Sequence, residues 1–338
     1  MAGEYERERG AGGASSKLRA IRTHPYTGLL VNITPSAFWL GVFFLIPLAV
    51  MFLYSFGERG AFGQVLIGPE YLGLQQYATF FVPEGMSLGG AVWVTFAWLV
   101  ERIVPVQLNL AETMPTPYVQ LTFRSIWYGL VATFVSFVVG YPMAYYVARL
   151  APEKYQNLLI ALVVLPYWAS YLVRVYAIKL LLAKNGIVPT LATYLPFIDQ
   201  QPTLLFNAFS VQVGLVYIWI PFMILPAYAS LEQIDFTLNE AAMDLGADRL
   251  AAFVHVTLPL SMPGVVAGSL LVFIPSVGAY IIPELLGGPS TVTIGNFIAA
   301  QFGSAGNWPL GAAASFILMT IMLGGIAIYL RRAGGEFL

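Results

Sequence analysis

This sequence predicts an all-α integral membrane protein with six transmembrane helices, on three observations. Of its 338 residues, 58% are hydrophobic and only 10% charged, with a mean hydropathy of +0.75, whereas soluble domains carry about 25% charged residues. Apolar runs long enough to cross roughly 30 Å of hydrocarbon recur along the chain. Lys and Arg gather on alternate connecting segments instead of spreading evenly. Cysteine is absent, which excludes disulfides, thiolate metal sites and cysteine nucleophiles. Two histidines, His24 and His255, argue against a His-based metal centre, and a formal net charge of −1 gives no reason to expect nucleic acid.

In chain order, residues 1–35 read as a cytoplasmic tail, its first thirty residues polar, small and flexible. No cleaved signal peptide is expected, because the apolar run begins only near residue 36 and lacks an Ala-x-Ala site after it. Span one covers Ser36 to Phe56, with Pro47 placed to kink it. Residues 57–122 form a Gly- and Pro-rich extracytoplasmic segment. Within it, Leu88 to Val100 is apolar for only thirteen residues before Glu101 and Arg102, which suits a helix lying in the interface. Span two runs from Arg124 to Ala148, and span three from Leu158 to Leu182. Residues 184–206 read as a Pro-broken loop. Span four covers Ala208 to Tyr228 and contains Pro221 and Pro226. Span five covers Pro263 to Pro283, and residues 284–311 read as a loop. Span six covers Gly311 to Leu330, closed by Arg331 and Arg332 before a short tail, 333–338.

Orientation follows from the basic residues. With the N-terminus inside, cytoplasmic segments hold Arg7, Arg9, Lys17, Arg19, Arg22, Arg149, Lys154, Arg249, Arg331 and Arg332. The longer outer segments hold Arg59, Arg102, Arg124 and Lys184. The positive-inside rule therefore puts both termini in the cytoplasm.

One polar stretch stands between spans four and five: Leu231 to Pro259, LEQIDFTLNEAAMDLGADRLAAFVHVTLP. It holds five of the seventeen acidic residues, Glu232, Asp235, Glu240, Asp244 and Asp248. The pattern predicts a short helix with Asn239 as N-cap and Glu240 and Asp244 near its positive end. Gly246 then breaks the chain and a second short helix follows, ending where Thr257-Leu-Pro-Leu interrupts the pattern.

Glu240-Ala241-Ala242, Gly246, Val256, Leu258 and Pro259 resemble the EAA loop of binding-protein-dependent ABC importer permeases, with Val256 where Ile is usual. Further stretches resemble the spermidine/putrescine branch: VVLPYWASYLVRVYA (163–177), NGIV (185–188), the run 211–235, VTLPLSMPGVVAGSLLVFIPSVGAYIIPELLGGP (256–289), and IGNFIAAQF with NWPLGAA (294–313). The likeness covers about residue 121 to the C-terminus. It implies a type I importer transmembrane core over residues 123–332, preceded by one extra helix, in a bacterial inner membrane. It also implies that Glu240, Ala241, Ala242, Asp244, Leu245 and Gly246 couple to an ATPase. The implied partners are two ATPase subunits, a second homologous permease and an extracytoplasmic solute-binding protein. Residues 57–122 depart from the family, and nothing carries over there.

No P-loop pattern is present, so ATP and Mg are expected on the ATPase and no cofactor on this chain. No nucleophile elbow or HExxH is present either, which leaves an intramembrane enzyme without catalytic residues. Charged groups within spans are functional candidates by default. Glu284 and Asp199 would attract the ammonium groups of a polyamine, and Tyr167, Trp168, Tyr171 and Tyr280 would offer aromatic faces. Arg174 is of the wrong sign unless an acid pairs with it, and Lys179 has the reach to snorkel. For each of these a structural or interface role competes with the transport role. The alternatives are an importer of the same class for ferric iron, sulfate or phosphonate, and a self-sufficient channel or ion-coupled carrier.

Overall fold

The computed structural model describes residues 25–103, 114–194 and 200–337. Among these, five helices are long and apolar enough to cross a membrane: Ile33–Tyr54, Pro117–Leu150, Tyr171–Ala192, Arg249–Val277 and Trp308–Arg331. A sixth crossing comes from Ala208–Trp219 and Pro221–Glu232, a pair bent by 43°. The bend falls at Pro221, whose ring removes a donor from the helix ladder. Pro226 lies inside the second half of the pair.

Several expectations are corrected. Among the described residues the earliest helix is Pro25–Leu40, so residues 25–30 are helical rather than flexible; residues 1–24, His24 included, lie outside the described residues. A π turn, Gly41–Leu45, stands just before Pro47, where the regular ladder lacks a donor. Span three is interrupted, with helix Glu153–Val164, a 3₁₀ turn at Leu165–Trp168 and helix Tyr171–Leu182. Pro166 accounts for the break. The final apolar helix of the loop-to-span-five region ends at Val277, and Pro283 belongs to a separate short helix, Ile281–Leu286. Residues 187–192 and 294–302 are helical although they were expected in loops. The apolar run at Leu88 forms a helix of 16 residues through Ile103, so the Glu101–Arg102 pair sits inside it.

Two packed layers hold the bundle together. Toward the end that carries the polar loop, Tyr141, Ala144, Ile224, Ala227, Leu231 and Val265 form a buried cluster. Toward the other end, Ile178, Leu182, Val211, Leu215, Ile282 and Leu286 form a second. Helices Pro221–Glu232 and Leu258–Val277 cross with their backbones in close approach. At Gly264 an added Cβ would lie 2.3 Å from the Pro226 carbonyl oxygen, and at Gly268 it would lie 3.0 Å from the Met223 sulfur. This Gly-x-x-x-Gly spacing lets two backbones approach where no hydrophobic force drives helices together in lipid. Tyr141, on helix Pro117–Tyr145, shares a buried 2.7 Å hydrogen bond with Ser261 of Leu258–Val277 and so ties span two to span five. Span one stands apart, with none of its apolar window buried. It meets span six through Phe52 and Phe316, edge to face at 5.1 Å.

Candidate functional site

The polar loop is built as one helix, one turn and a second helix that never stops. Residues Thr237–Asp244 are helical, and the entry is fixed by Asp235, whose carboxylate accepts from the Thr237 backbone N–H at 3.0 Å. That hydrogen bond holds the Asp235 carboxyl below its ordinary 3.8. Asn239 is not the N-cap. It lies within the helix, and its amide donates to the Thr257 hydroxyl at 2.7 Å, pinning the two arms of the loop together.

Gly246 terminates the first helix at φ +95°. Its N–H donates to the Met243 carbonyl at 2.9 Å, and the Ala247 N–H donates to the Ala242 carbonyl at 3.1 Å. These two bonds form a Schellman cap with glycine at the left-handed position. The spacing from the EAA triplet to its glycine is therefore a helix followed by its own terminator. Asp248 caps the next helix, Arg249–Ala252, by accepting from the Ala251 N–H at 2.6 Å. The helix does not break at Thr257-Leu-Pro-Leu. It continues through a π turn, Phe253–Thr257, into Leu258–Val277; the wider turn directly before Pro259 accommodates a residue that has no N–H to give to the ladder. The turn is therefore joined to span five by continuous helix. Arg149, at the end of span two, lies 4.2 Å over the Phe236 ring and ties a second span to the loop.

The loop presents apolar surface outward. Leu245 is 90% exposed and Leu250 69%. Glu240, Ala241, Asp244 and Gly246 are also exposed, and Ala242 is half-buried. His255 turns its Nδ1 to the Ala251 carbonyl at 2.9 Å.

The substrate-path candidates separate into two groups. Tyr167, in the 3₁₀ turn, donates its hydroxyl to the Ile218 carbonyl, beside the break in span four. The Arg174 guanidinium is stacked 4.1 Å over Tyr167 and 5.9 Å from the Tyr171 ring. It is buried, and its Nε and Nη1 find no acceptor among the described residues. Tyr167 and Arg174 line a cavity of about 550 Å³ with Tyr217, Ile220, Pro221 and Met143. Trp168 is 87% exposed and does not join them. Tyr280 and Glu284 form the second group, both exposed, at the far end of the bundle from the polar loop. Glu284 accepts from the Asn296 amide at 2.9 Å. Lys179 lies near the rings of Phe206 and Tyr176. Asp199 lies outside the described residues. Sequence reasoning missed Asn296, whose role depends on a turn that no periodicity reveals. It also missed Gly264 and Gly268, whose four-residue spacing was there to be read.

A bundle of bent and interrupted apolar helices, with a capped polar loop feeding one span, is the membrane component of a transport system. The chain belongs to the family described as binding-protein-dependent transport system inner membrane component, whose model matches residues 136–333. It is 40% identical over 244 residues to the spermidine/putrescine transport system permease protein PotB of Salmonella typhimurium, covering 72% of this chain and 84% of that one. The PotB protein of Escherichia coli is 39% identical over 244 residues, covering 72% and 88%. Among solved structures, a bacterial ABC transporter involved in the import of the acidic polysaccharide alginate shares the fold. Its TM-score is 0.59 at 15% identity, covering 94% of this chain and 99% of that chain.

Proposed function

We propose that this chain is the permease subunit of an ATP-driven importer for polyamines, delivered by an extracytoplasmic binding protein. The observation that carries the importer assignment is the exposed, Schellman-capped loop: Leu245 projects into solvent from a turn joined without interruption to span five. Leu245, Leu250, Leu238 and Met243 are all exposed on this polar loop, and apolar surface grouped in this way suits a partner, here one of two ATPase subunits that hold the ATP and Mg. Closure of those subunits carries Glu240 to Gly246 with it and reorients the spans. A second, related permease completes the pathway, and both termini face the cytoplasm. The likeness to the two PotB proteins supports spermidine or putrescine as cargo, with Glu284, Tyr280, Tyr167 and Tyr171 along the path. Arg174 stabilises the break through its stacking on Tyr167.

The test is to purify the tagged chain from its own membrane in mild detergent and to measure ATPase activity with and without spermidine-loaded binding protein. A co-purifying ATPase stimulated by the loaded protein supports the assignment. Stimulation by ferric, sulfate or phosphonate binding proteins instead would reassign the cargo. A chain that transports when reconstituted alone would make it a self-sufficient carrier.

A further inference from the structure

A carboxylate that receives a cation has to be held in place without being neutralised. A Lys or Arg partner fixes a carboxylate by cancelling its charge. A neutral amide fixes it and leaves the charge intact. Glu284 is held in the second way. The Asn296 side chain donates to its Oε2 at 2.9 Å, and among the described residues no basic group pairs with it.

Asn296 is itself over-determined. Its Oδ1 accepts from the Thr293 backbone N–H at 3.2 Å and from the Thr293 hydroxyl at 2.8 Å. Its Nδ2 donates to the Tyr280 carbonyl and to Glu284, both at 2.9 Å. Two donors and two acceptor sites are therefore all engaged. Flipping the amide would set its oxygen against a carbonyl and a carboxylate, so the network fixes the orientation. Thr293 is in turn anchored: its single hydroxyl proton is shared between Asn296 Oδ1 and the Ala279 carbonyl, the latter at 3.2 Å. The next residue along, Ile294, donates its N–H to the buried Ser125 hydroxyl of span two at 2.9 Å. Glu284 and the Tyr280 backbone, on either side of the start of helix Ile281–Leu286, are thereby held to helix Ile294–Phe302 and, through it, to the bundle.

We propose that Asn296 is the positioning residue of the cation-receiving site: it locks Glu284 beside Tyr280 with Oε1 free to accept an ammonium group. The site then offers one full negative charge to a permeant amine. The inference rests on the polyamine reading of Glu284.

The experiment uses proteoliposomes of the whole transporter with loaded binding protein in excess, comparing wild type, Glu284→Gln, Asn296→Ala and the double variant. Uptake of spermidine and of putrescine and the stimulated ATPase are read together. Glu284→Gln is expected to lower spermidine uptake about tenfold, and Asn296→Ala about threefold to fivefold. The double variant should match Glu284→Gln alone, because Asn296 acts through the carboxylate. The spermidine-to-putrescine ratio should fall in each, since the more highly charged amine loses more; a merely loosened helix end would slow both amines alike. Additive losses, an unchanged ratio, or an Asn296→Ala variant with full uptake would overturn the positioning role while leaving Glu284 in the path. Full uptake in Glu284→Gln would overturn the reading beneath it as well.

Discussion

Gly246 offers the sharpest test of how the polar loop works. Its φ of +95° is one that L side chains rarely adopt, yet an added Cβ would meet nothing within 4 Å. Substitution there carries no steric penalty inside this chain. What remains is backbone strain of about 1–2 kcal/mol. At about 1.4 kcal/mol per tenfold, the balance between the capped turn and its alternatives shifts about fivefold to thirtyfold. The order of effect is set by tolerance of the left-handed region. Asn should be nearly silent, Ala intermediate, and Leu severe, because Leu adds bulk at the docking surface. The loop is exposed, so insertion and thermal stability of the subunit should not change. Glu240→Lys should behave similarly, since reversing a charge in the first turn costs about 0.3–1 kcal/mol, too little to unfold the chain. The assay is binding-protein-stimulated ATPase and uptake in the same proteoliposomes. Wild-type uptake in Gly246→Leu, or an Asn variant as damaged as Leu, would refute the argument that the turn transmits the stroke.

Four other outcomes follow from the geometry. Leu245→Ala removes about 2 kcal/mol of apolar burial if the side chain becomes buried on docking; association with the ATPase, by pull-down titration, should weaken about thirtyfold while the isolated chain melts as before. Tyr141→Phe removes its bond to Ser261, whose hydroxyl still donates to the Leu258 carbonyl at 3.0 Å; it should cost about 1 kcal/mol in a detergent melt, and adding Ser261→Ala should cost less than Ser261→Ala does alone, since the shared bond is already gone. Gly264→Val forces a side chain against the Pro226 carbonyl and the Ser230 Cβ; membrane levels should collapse, while Gly324→Val, at a position open to 4 Å, should accumulate normally. Asp235 has its carboxyl lowered by the Thr237 N–H, so its contribution is present above 3.8 and lost as pH falls through the lower folded value; the extra protease sensitivity of the loop in Asp235→Ala should vanish at such acidity.

The sequence alone determined the membrane class, because apolar runs of sufficient length have no other use in a chain so poor in charge. It anticipated the number of apolar crossings but not the bounds of the third and fifth, which run Tyr171–Ala192 and Arg249–Val277; it located the polar loop and marked Gly246 as the turn, since few other residues tolerate the left-handed conformation. Tertiary structure decided what depends on who faces whom. Asn239 looked like a cap because local pattern cannot see Thr257, which sits on the other arm. Thr257-Leu-Pro-Leu looked like a break because proline ends helices in general, yet here it falls where the missing donor is harmless. Span three looked continuous because hydropathy carries no record of where Pro166 and the Tyr167 hydroxyl bend the backbone toward Ile218. Glu284 was legible as a charge, but its usefulness was not. The amide that orients it without neutralising it arrives from twelve residues away, and only the packing of two short helices brings them within reach.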